Sequence, residues 1–331
     1  MMPTDAVLAV TWRCNARCEM CGIWRVTEHD ELPVAACARL PSSLRDVNLT
    51  GGEPFLRDDL PSLHETVRRA CPRARTVISS NGILTRKILD TMREIARAEP
   101  DVGVAISIDG PAEVHDEQRG IPDAYDKAVA TLKALQDAGV ENLRLAFTAT
   151  PRNGAHLGAI YALALELGVE FTCAVMHSSE HYFHVTGEAG VLPIAVLREQ
   201  IEGVMTGMLR TLSPKQWARA YFMKGLYDFA AGRGRPLACR AGEDFFFMDP
   251  SGEVFACNAA PFRMGNLKAS SFDDVWNSPE AETSRRKARA CGNGCWMVCT
   301  ARTSIKRTWP RVLAWAVARK IVGVSLPEAR P

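Results

Sequence analysis

Three cysteines near the N-terminus have the spacing of a metal-binding loop. Cys14, Cys18 and Cys21 lie in Thr-Trp-Arg-Cys-Asn-Ala-Arg-Cys-Glu-Met-Cys-Gly-Ile-Trp, a C-x3-C-x2-C pattern directly after the apolar run Ala6–Val10. Three thiolates on one loop suit a soft metal centre. Because there are three ligands rather than four, one iron of a four-iron cluster would lack a protein ligand, and chemistry could take place there.

Three short polar motifs follow apolar runs farther along the chain. The sequence reads Thr50-Gly51-Gly52-Glu53-Pro54, then Ser79-Ser80-Asn81-Gly82, then Ser107-Ile108-Asp109-Gly110-Pro111. The two glycines of the first motif allow close backbone approach, and its glutamate can accept a hydrogen bond from an ammonium group. Taken alone, Gly-Gly-Glu-Pro is better explained as a turn that carries a solvated glutamate.

The elements that must position these motifs alternate between strand and helix. Six β-rich runs are predicted as strands, at Val7–Thr11, Asp46–Thr50, Thr76–Ser80, Gly103–Ile108, Leu143–Thr148 and Glu170–Met176. Helices are predicted at Leu60–Ala70, Thr85–Ala98, Tyr125–Ala138 and Ala155–Leu167, where apolar residues recur at helical spacing. This alternation is typical of βα units around a parallel sheet, and the cysteine loop and each motif follow one strand.

In this order, the cysteine loop and the three motifs resemble the radical S-adenosylmethionine (radical SAM) superfamily. The resemblance implies an α/β fold, a partial (β/α)6 TIM-like barrel with its chemistry at the carboxyl ends of the strands. It also implies that Cys14, Cys18 and Cys21 are catalytic ligands of a [4Fe-4S] cluster, whose free iron binds the amino and carboxylate groups of SAM. Met20 fills the position before the third cysteine, where the family favours an apolar or aromatic residue. A zinc or electron-transfer site is the alternative.

The SAM contacts are carried over by motif position. Gly51, Gly52, Glu53 and Pro54 match the family segment that binds the amino end of methionine. Ser79, Asn81, Ser107 and Asp109 are expected to contact ribose hydroxyls and the carboxylate. The implied reaction is reductive cleavage of SAM to methionine and a 5′-deoxyadenosyl radical, which abstracts a substrate hydrogen atom. We expect flavodoxin or ferredoxin as electron donor, and expect the protein to position the reactants and exclude water.

Five cysteines form a second cluster near the C-terminus. Cys239 precedes two β-like runs joined by a Pro-Ser-Gly turn, and Cys257 ends the second; Gly-Asn-Leu at 265–267 and then Cys291, Cys295 and Cys299 follow. This order resembles the SPASM or shorter twitch domain of many radical SAM enzymes, which implies one auxiliary [4Fe-4S] cluster. The favoured ligands are Cys239, Cys257, Cys295 and Cys299, with Cys291 as the competitor. A structural zinc site is the alternative.

Other thiols and three histidines are further candidates. Cys37 and Cys71 are expected to be small buried hydrophobic residues, whereas Cys173 on the sixth strand could return a hydrogen atom to a substrate. After that strand come His177, His181 and His184. They could position substrate or move protons, although a polar surface loop is the favoured interpretation of this segment.

Four regions are expected along the chain. They are a core at 1–190, a helical bridge at 191–236 with helices Leu192–Leu212 and Pro214–Ala231, an α+β auxiliary-cluster domain at 237–303, and a tail at 304–331. The tail predicts a basic amphipathic helix from Pro310. Such a helix can contact a membrane surface, although docking onto the protein itself is the simpler interpretation.

Composition narrows the class of protein. The 331 residues are 47% hydrophobic and 24% charged, which is typical of a globular chain of about two domains. The 40 basic and 38 acidic residues give a net charge of +2, so no overall field attracts nucleic acid. The sequence shows no secretory signal and no long apolar span, and its cysteines are clustered rather than spread as in disulfide frameworks. We therefore expect a cytoplasmic protein.

The sequence thus predicts an oxygen-sensitive radical SAM enzyme of oxidoreductase type. An auxiliary cluster can take up a second electron, which favours oxidation or rearrangement. The resemblance to related enzymes implies a sugar, an aminocyclitol or another secondary metabolite as substrate. The cysteine loop begins at residue 14, without a preceding peptide-recognition domain, and this favours a small molecule over a peptide. The alternatives are a peptide-modifying maturase, a radical epimerase with an essential thiol, and a non-enzymatic iron–sulfur carrier.

Overall fold

A nine-stranded sheet runs through the molecule. The computed structural model describes residues 1–27, 31, 33–185 and 193–328. Its first six strands are β1 (Asp5–Thr11), β2 (Asp46–Gly51), β3 (Arg75–Ser80), β4 (Gly103–Ser107), β5 (Leu143–Ala149) and β6 (Glu170–Val175). Each pairs in parallel with the next. The predicted partial (β/α)6 barrel is confirmed, because all six strands occur where the β-rich runs predicted them.

The strands alternate between an apolar outer face and a more polar inner face. Outer residues such as Leu8, Leu49 and Ile106 are fully buried in the main hydrophobic core. Inner positions carry mostly small or polar side chains, such as Asn48 and Ala146. A typical TIM barrel fills this space with bulky branched residues. Here the small inner residues leave a chamber inside the barrel.

Helices connect the strands on the outside. They are α1 (Leu60–Ala70), α2 (Thr85–Ala98), α3 (Ala112–Arg119), α4 (Ala124–Asp137), α5 (Leu157–Glu166), α6 (Ile194–Arg210) and α7 (Pro214–Ala230). Only α3 was not predicted, because its eight residues are mostly polar and show no apolar periodicity. Pro111 precedes it, and Gly120 ends it in the left-handed conformation at φ 63°. Leu192 and residue 190, where a helix start and a domain boundary were predicted, lie outside the described residues.

The cysteine-rich region extends the sheet of the barrel. β7 (Phe245–Met248) pairs in parallel with the free side of β1, and β8 (Glu253–Phe255) and β9 (Arg263–Asn266) continue it antiparallel. The hairpin was predicted, but its attachment to β1 was not, since local patterns do not reveal pairing between strands so far apart in sequence. Three helices complete the region: α8 (Phe272–Trp276), α9 (Pro279–Arg289) and α10 (Val298–Arg307).

The C-terminal segment packs on the protein. The predicted boundary after residue 303 falls inside α10, so the cysteine-rich region and the tail share one helix. The next helix, α11 (Trp309–Val322), buries Val312 and Ala316. Its Trp315 ring meets Tyr221 of α7 edge-on at 5.0 Å between centroids. These contacts agree with docking onto the protein itself. Among the described residues, no helix combines the length and apolar character that crossing a bilayer requires.

Candidate active site

The three N-terminal cysteines lie just beyond the carboxyl end of β1 and line one cavity. Burial, together with the neighbouring Cys18, raises the pKa of Cys14 to about 12 and that of Cys21 to about 11. Such thiols lose their protons when they bind a metal centre, because its positive charge stabilises the thiolates. The loop therefore suits metal ligation.

The number of cysteines on the loop favours a cluster over a structural zinc ion. A structural zinc site has four protein ligands, whereas each thiolate of a [4Fe-4S] cluster binds a different iron. Cys14, Cys18 and Cys21 would therefore leave one iron of such a cluster open to a further ligand.

Two glycines allow the cysteine loop to pack against the end of β2. The backbone N–H of Gly52 donates to the carbonyl of Thr11, and that of Glu53 donates to the carbonyl of Arg13, both at 2.8 Å. A Cβ on Gly51 would lie 2.2 Å from the Thr11 oxygen, and one on Gly52 would lie 2.1 Å from the Arg13 oxygen. Gly51 also has φ 128°, which disfavours a side chain. Both glycines are therefore required by the fold of the site, and their contact with SAM stays a prediction.

The Glu53 side chain points into the protein and is fully buried. Its carboxylate accepts hydrogen bonds from Ser80 Oγ at 3.0 Å and from the backbone N–H of Asn81 at 2.8 Å. Burial raises the pKa of Glu53 to about 7. Asn81 Nδ2 in turn donates to Asn15 Oδ1 of the cysteine loop at 2.8 Å. In this structure Glu53 joins the ends of β2 and β3, and its contact with the ammonium of SAM stays a prediction.

Asp109 is also buried, and its partner is a cation that sequence reasoning missed. Its Oδ2 lies 2.5 Å from Nη2 of Arg119, and its Oδ1 accepts from the backbone N–H of Thr148 at 2.8 Å. Arg119 Nη1 donates to Cys18 Sγ at 3.7 Å. The carbonyl of Arg119 accepts from the backbone N–H of Arg17 at 2.9 Å. The end of α3 therefore holds the cysteine loop. The sequence did not predict α3, and without that helix nothing indicated that Arg119 lies at the site.

The barrel chamber is the space enclosed by the inner faces of β2 to β6, the cysteine loop and the start of α10, and its volume is about 370 Å³. The predicted site residues that line it are Cys14, Cys18, Met20, Cys21, Gly51, Gly52, Ser79, Asn81 and Ser107. Glu53, Pro54 and Asp109 lie behind this lining and support it. The predicted strand-end residues thus gather at one end of the chamber.

The segment after β6 closes over the chamber, so its interpretation as a polar surface loop is wrong. His177, Ser179 and Tyr182 are buried. The Tyr182 hydroxyl lies 3.2 Å from Thr50 Oγ1, and burial raises its pKa well above the usual range. His181 Nε2 lies 3.0 Å from the carbonyl of Cys257, which connects this segment to the cysteine-rich region. Aromatic packing explains the burial, and the histidines alone did not reveal it.

His177 has a defined tautomer, and one of its ring nitrogens faces the chamber side of the site. Its Nδ1 lies 2.5 Å from the carbonyl of Val175, which can only accept, so Nδ1 carries the proton. Its ring stacks on Phe229 at 4.3 Å, and burial lowers its pKa to about 4. The neutral imidazole lines the chamber, and Nε2 has no hydrogen-bond partner among the residues that the structure describes.

The five C-terminal cysteines differ in exposure: Cys257 and Cys299 are buried, and Cys239 and Cys295 are half-buried. Burial and the neighbouring Cys295 and Cys239 raise the pKa of Cys257. Burial and the neighbouring Cys239 and Cys291 likewise raise the pKa of Cys295. Cys299 lines the chamber, and its Sγ donates to Asn258 Oδ1 at 3.7 Å. Cys291 is exposed. The arrangement is consistent with Cys239, Cys257, Cys295 and Cys299 as ligands, which stays a prediction.

The remaining cysteines differ in position. Cys37 and Cys71 lie in the main hydrophobic core, as expected for small apolar residues. Cys173 is buried as well, but it also borders the chamber, and burial raises its pKa far above the usual range. A neutral thiol at this position keeps its S–H hydrogen, as a hydrogen-atom donor would require.

Family models match both halves of the site. The model of the Radical SAM superfamily matches residues 8–154, and that of the SPASM iron–sulfur cluster-binding domain matches residues 239–300. The first match contains Cys14 to Asp109, and the second contains all five C-terminal cysteines.

Sequence relatives and solved structures agree with these matches. An AdoMet-dependent heme synthase of Oleidesulfovibrio alaskensis is 28% identical over 301 residues, which cover 82% of this chain and 74% of the relative. The mycofactocin maturase MftC of Mycolicibacterium smegmatis is 28% identical over 305 residues, covering 87% and 74%. SuiB of Streptococcus suis bound to S-adenosylmethionine shares the fold, with a TM-score of 0.64 at 16% identity, covering 91% of this chain and 74% of SuiB. AdoMet-bound anSMEcpe also shares the fold, with a TM-score of 0.63 at 14% identity, and the match covers 96% of this chain and 100% of anSMEcpe.

The cysteine loop, the strand-end motifs and the second cysteine cluster therefore have one explanation. This chain belongs to the radical SAM superfamily, as an enzyme whose barrel carries a SAM-binding [4Fe-4S] cluster and whose C-terminal SPASM domain carries an auxiliary iron–sulfur cluster.

Proposed function

We propose that this radical SAM enzyme oxidises or rearranges a small molecule held in the barrel chamber. The observation that carries the proposal is that the cysteine loop and Cys299 line the same chamber. When bound, the first cluster supplies the electron that cleaves SAM and so provides the radical that takes a substrate hydrogen atom. An auxiliary cluster ligated by Cys299 would border the same space, close enough to accept a second electron from the substrate.

The residues of the chain would prepare this space. Tyr182 and the segment 177–184 cover the chamber and exclude water. The small inner residues of β4 and β5, such as Ala105 and Ala146, leave room for substrate beside SAM. His177 offers Nε2 as a hydrogen-bond acceptor to a substrate O–H or N–H group. These features support a reaction that removes a hydrogen atom, an electron and a proton.

The size of the chamber supports a small molecule. Its volume of about 370 Å³ must hold SAM as well as substrate, which leaves space for a small group and not for a long peptide, and the similarity to a heme synthase also favours a small molecule. A peptide-modifying maturase is the second candidate, because the mycofactocin maturase is equally similar in sequence. Flavodoxin or ferredoxin is the proposed electron donor.

SAM cleavage under anaerobic conditions tests the proposal. The protein is reconstituted with iron and sulfide, reduced with dithionite, and assayed for 5′-deoxyadenosine with SAM. The Cys14→Ala/Cys18→Ala/Cys21→Ala variant should give none, whereas Cys71→Ala, which changes a core cysteine, should retain the activity. Candidate small molecules and peptides are then compared, and a rise in 5′-deoxyadenosine with peptides alone would overturn the small-molecule proposal. Solvent deuterium appearing on carbon in the product would instead indicate epimerisation.

A further inference from the structure

The end of the chamber opposite the cysteine loop is strongly basic. Two adjoining ion-pair groups lie where the strands begin, and together they contain Arg75, Arg144, Lys215, Arg219, Arg302 and Lys306 with Asp5, Asp46 and Glu170. We call these nine residues the basic floor. Six positive and three negative side chains leave a formal excess of +3. Arg75, Arg144 and Arg302 line the chamber itself.

Arg144 has hydrogen-bond donors to spare. Its Nη2 donates to Asn142 Oδ1 at 3.2 Å. Its Nε lies 3.5 Å from Glu170 Oε2 and, within the described part of the chain, forms no hydrogen bond, although this nitrogen is buried. The carboxylate of Glu170 is already shared with Lys215 and with Arg219, whose Nη2 lies 2.6 Å away. A guanidinium carries five N–H donors, so Arg144 can bind a further oxyanion.

The charges of the floor are not neutralised from within. Burial and the nearby Arg219, Arg302 and Arg75 lower the pKa of Arg144, with Glu170 opposing them. Clustered cations at one end of a weakly polar chamber create a positive potential that attracts anions. An oxyanion entering the chamber would relieve this repulsion and would form charge-assisted hydrogen bonds.

We infer that the basic floor binds a carboxylate or phosphate group of the substrate. This inference rests on the proposed function, since it places the opposite end of the same molecule next to SAM. On β2, Asp46 belongs to the floor and Thr50 lies four residues farther at the cysteine loop, which is roughly 13 Å at about 3.3 Å per residue. The substrate is therefore an elongated molecule of about 10 Å or more, with an acidic group at one end and the reacting C–H bond near the other.

Anion binding by the SAM-loaded holoenzyme tests the inference without requiring turnover. The probes are glutarate and inorganic phosphate, titrated calorimetrically against protein in chloride-matched buffer, with glycerol as the neutral probe. We expect at least one anion to bind and glycerol not to bind. Arg144→Gln should weaken that binding about tenfold or more, and Arg144→Lys, which keeps the charge and loses the planar fork, should fall between.

Matched variants keep the result interpretable. Arg86→Gln removes a charge from an almost fully exposed side chain on α2 and should bind the anion as the wild type does. Arg75→Gln, whose side chain is 70% exposed, provides the same comparison if Arg144→Gln does not fold. The inference is overturned if neither anion binds, or if the floor variants bind as tightly as Arg86→Gln. In that case the ion pairs of the basic floor only hold the beginnings of the strands together.

The same preparations separate this inference from the proposed function. Each is assayed in parallel for reductive cleavage of SAM. Anion binding without 5′-deoxyadenosine would contradict the proposed function and leave the floor site standing. Cleavage of SAM without anion binding would contradict the floor site and leave the proposed function standing.

Discussion

The guanidinium of Arg119 donates to the Sγ of Cys18 across 3.7 Å, so a buried cation reaches one thiol of the cysteine loop. The same side chain forms an ion pair with the fully buried Asp109. Positive charge and hydrogen bonds at cluster sulfurs favour the reduced form of an iron–sulfur cluster. We therefore expect Arg119 to position the cysteine loop and to adjust how readily the first cluster accepts its electron.

Replacing Arg119 should affect both stability and reduction. Arg119→Gln leaves the Asp109 carboxylate without its buried partner, which typically costs about 3–5 kcal/mol. We also expect a more negative midpoint potential for the first cluster and slower SAM cleavage. Redox titration by electron paramagnetic resonance measures the potential. Arg152→Gln, which removes exposed ion pairs with Glu19 and Glu117, should change little. An unchanged potential in the Arg119 variant would contradict this role.

The contact between β2 and the cysteine loop should tolerate no side chain at position 52. In Gly52→Ala the new Cβ would lie 2.1 Å from the Arg13 carbonyl, so the loop must move. We expect a loss of a few kcal/mol in stability and poor retention of iron. Gly203→Ala is the matched control, because a Cβ there meets nothing within 4 Å and helix α6 gains about 1 kcal/mol from alanine. Equal melting temperatures for the two variants would contradict the prediction.

Asp249 should make stability depend on pH in a predictable direction. Burial raises its pKa from 3.8 to about 6 while its Oδ1 accepts the Glu253 N–H at 2.9 Å. The folded protein therefore binds this proton more tightly than the unfolded chain, and its contribution to stability falls as the pH rises from about 4 to about 6. Asp249→Asn has no carboxyl group to titrate, so its stability should not fall in this way. The free energy of unfolding of the variant relative to that of the wild type should therefore increase by about 2 kcal/mol across that interval. Thermal unfolding at several pH values measures the difference, and a constant difference would show that Asp249 does not titrate there.

Iron content distinguishes the ligands of the auxiliary cluster. In a background that lacks Cys14, Cys18 and Cys21, the protein should retain about four irons if one [4Fe-4S] cluster remains. Adding Cys299→Ala should abolish or disrupt this cluster, whereas adding Cys291→Ala should not, because Cys291 is exposed and Cys299 is buried beside the chamber. The opposite pattern would make Cys291 the fourth ligand.

Local patterns predicted the elements of this fold well, because strands and helices leave periodic signals in sequence. The six barrel strands, α1 and α2 occur where those signals lie. Short polar α3 carries no such signal, and neither does the pairing of β7 with β1, which depends on contacts between distant segments.

Motif order likewise predicted which residues gather at the site, but not which way they face. Ser79 and Ser107 line the chamber, whereas Glu53 and Asp109 turn into the protein to accept hydrogen bonds from neighbouring strands. A buried carboxylate needs such partners, and their identity depends on the three-dimensional neighbourhood. Arg119 and the basic floor were missed for the same reason, since their members come from separate strands and helices.

The pairing of β1 with β7 has a consequence for synthesis. As the chain leaves the ribosome, β1 is made first. Its second neighbour in the sheet, β7, is made only after about three quarters of the 331 residues. During that time one edge of an apolar strand lacks its partner and can pair with other chains. The N-terminal barrel is therefore expected to depend on completion of the chain for protection from aggregation, and expression at lower temperature or with chaperones should improve the soluble yield.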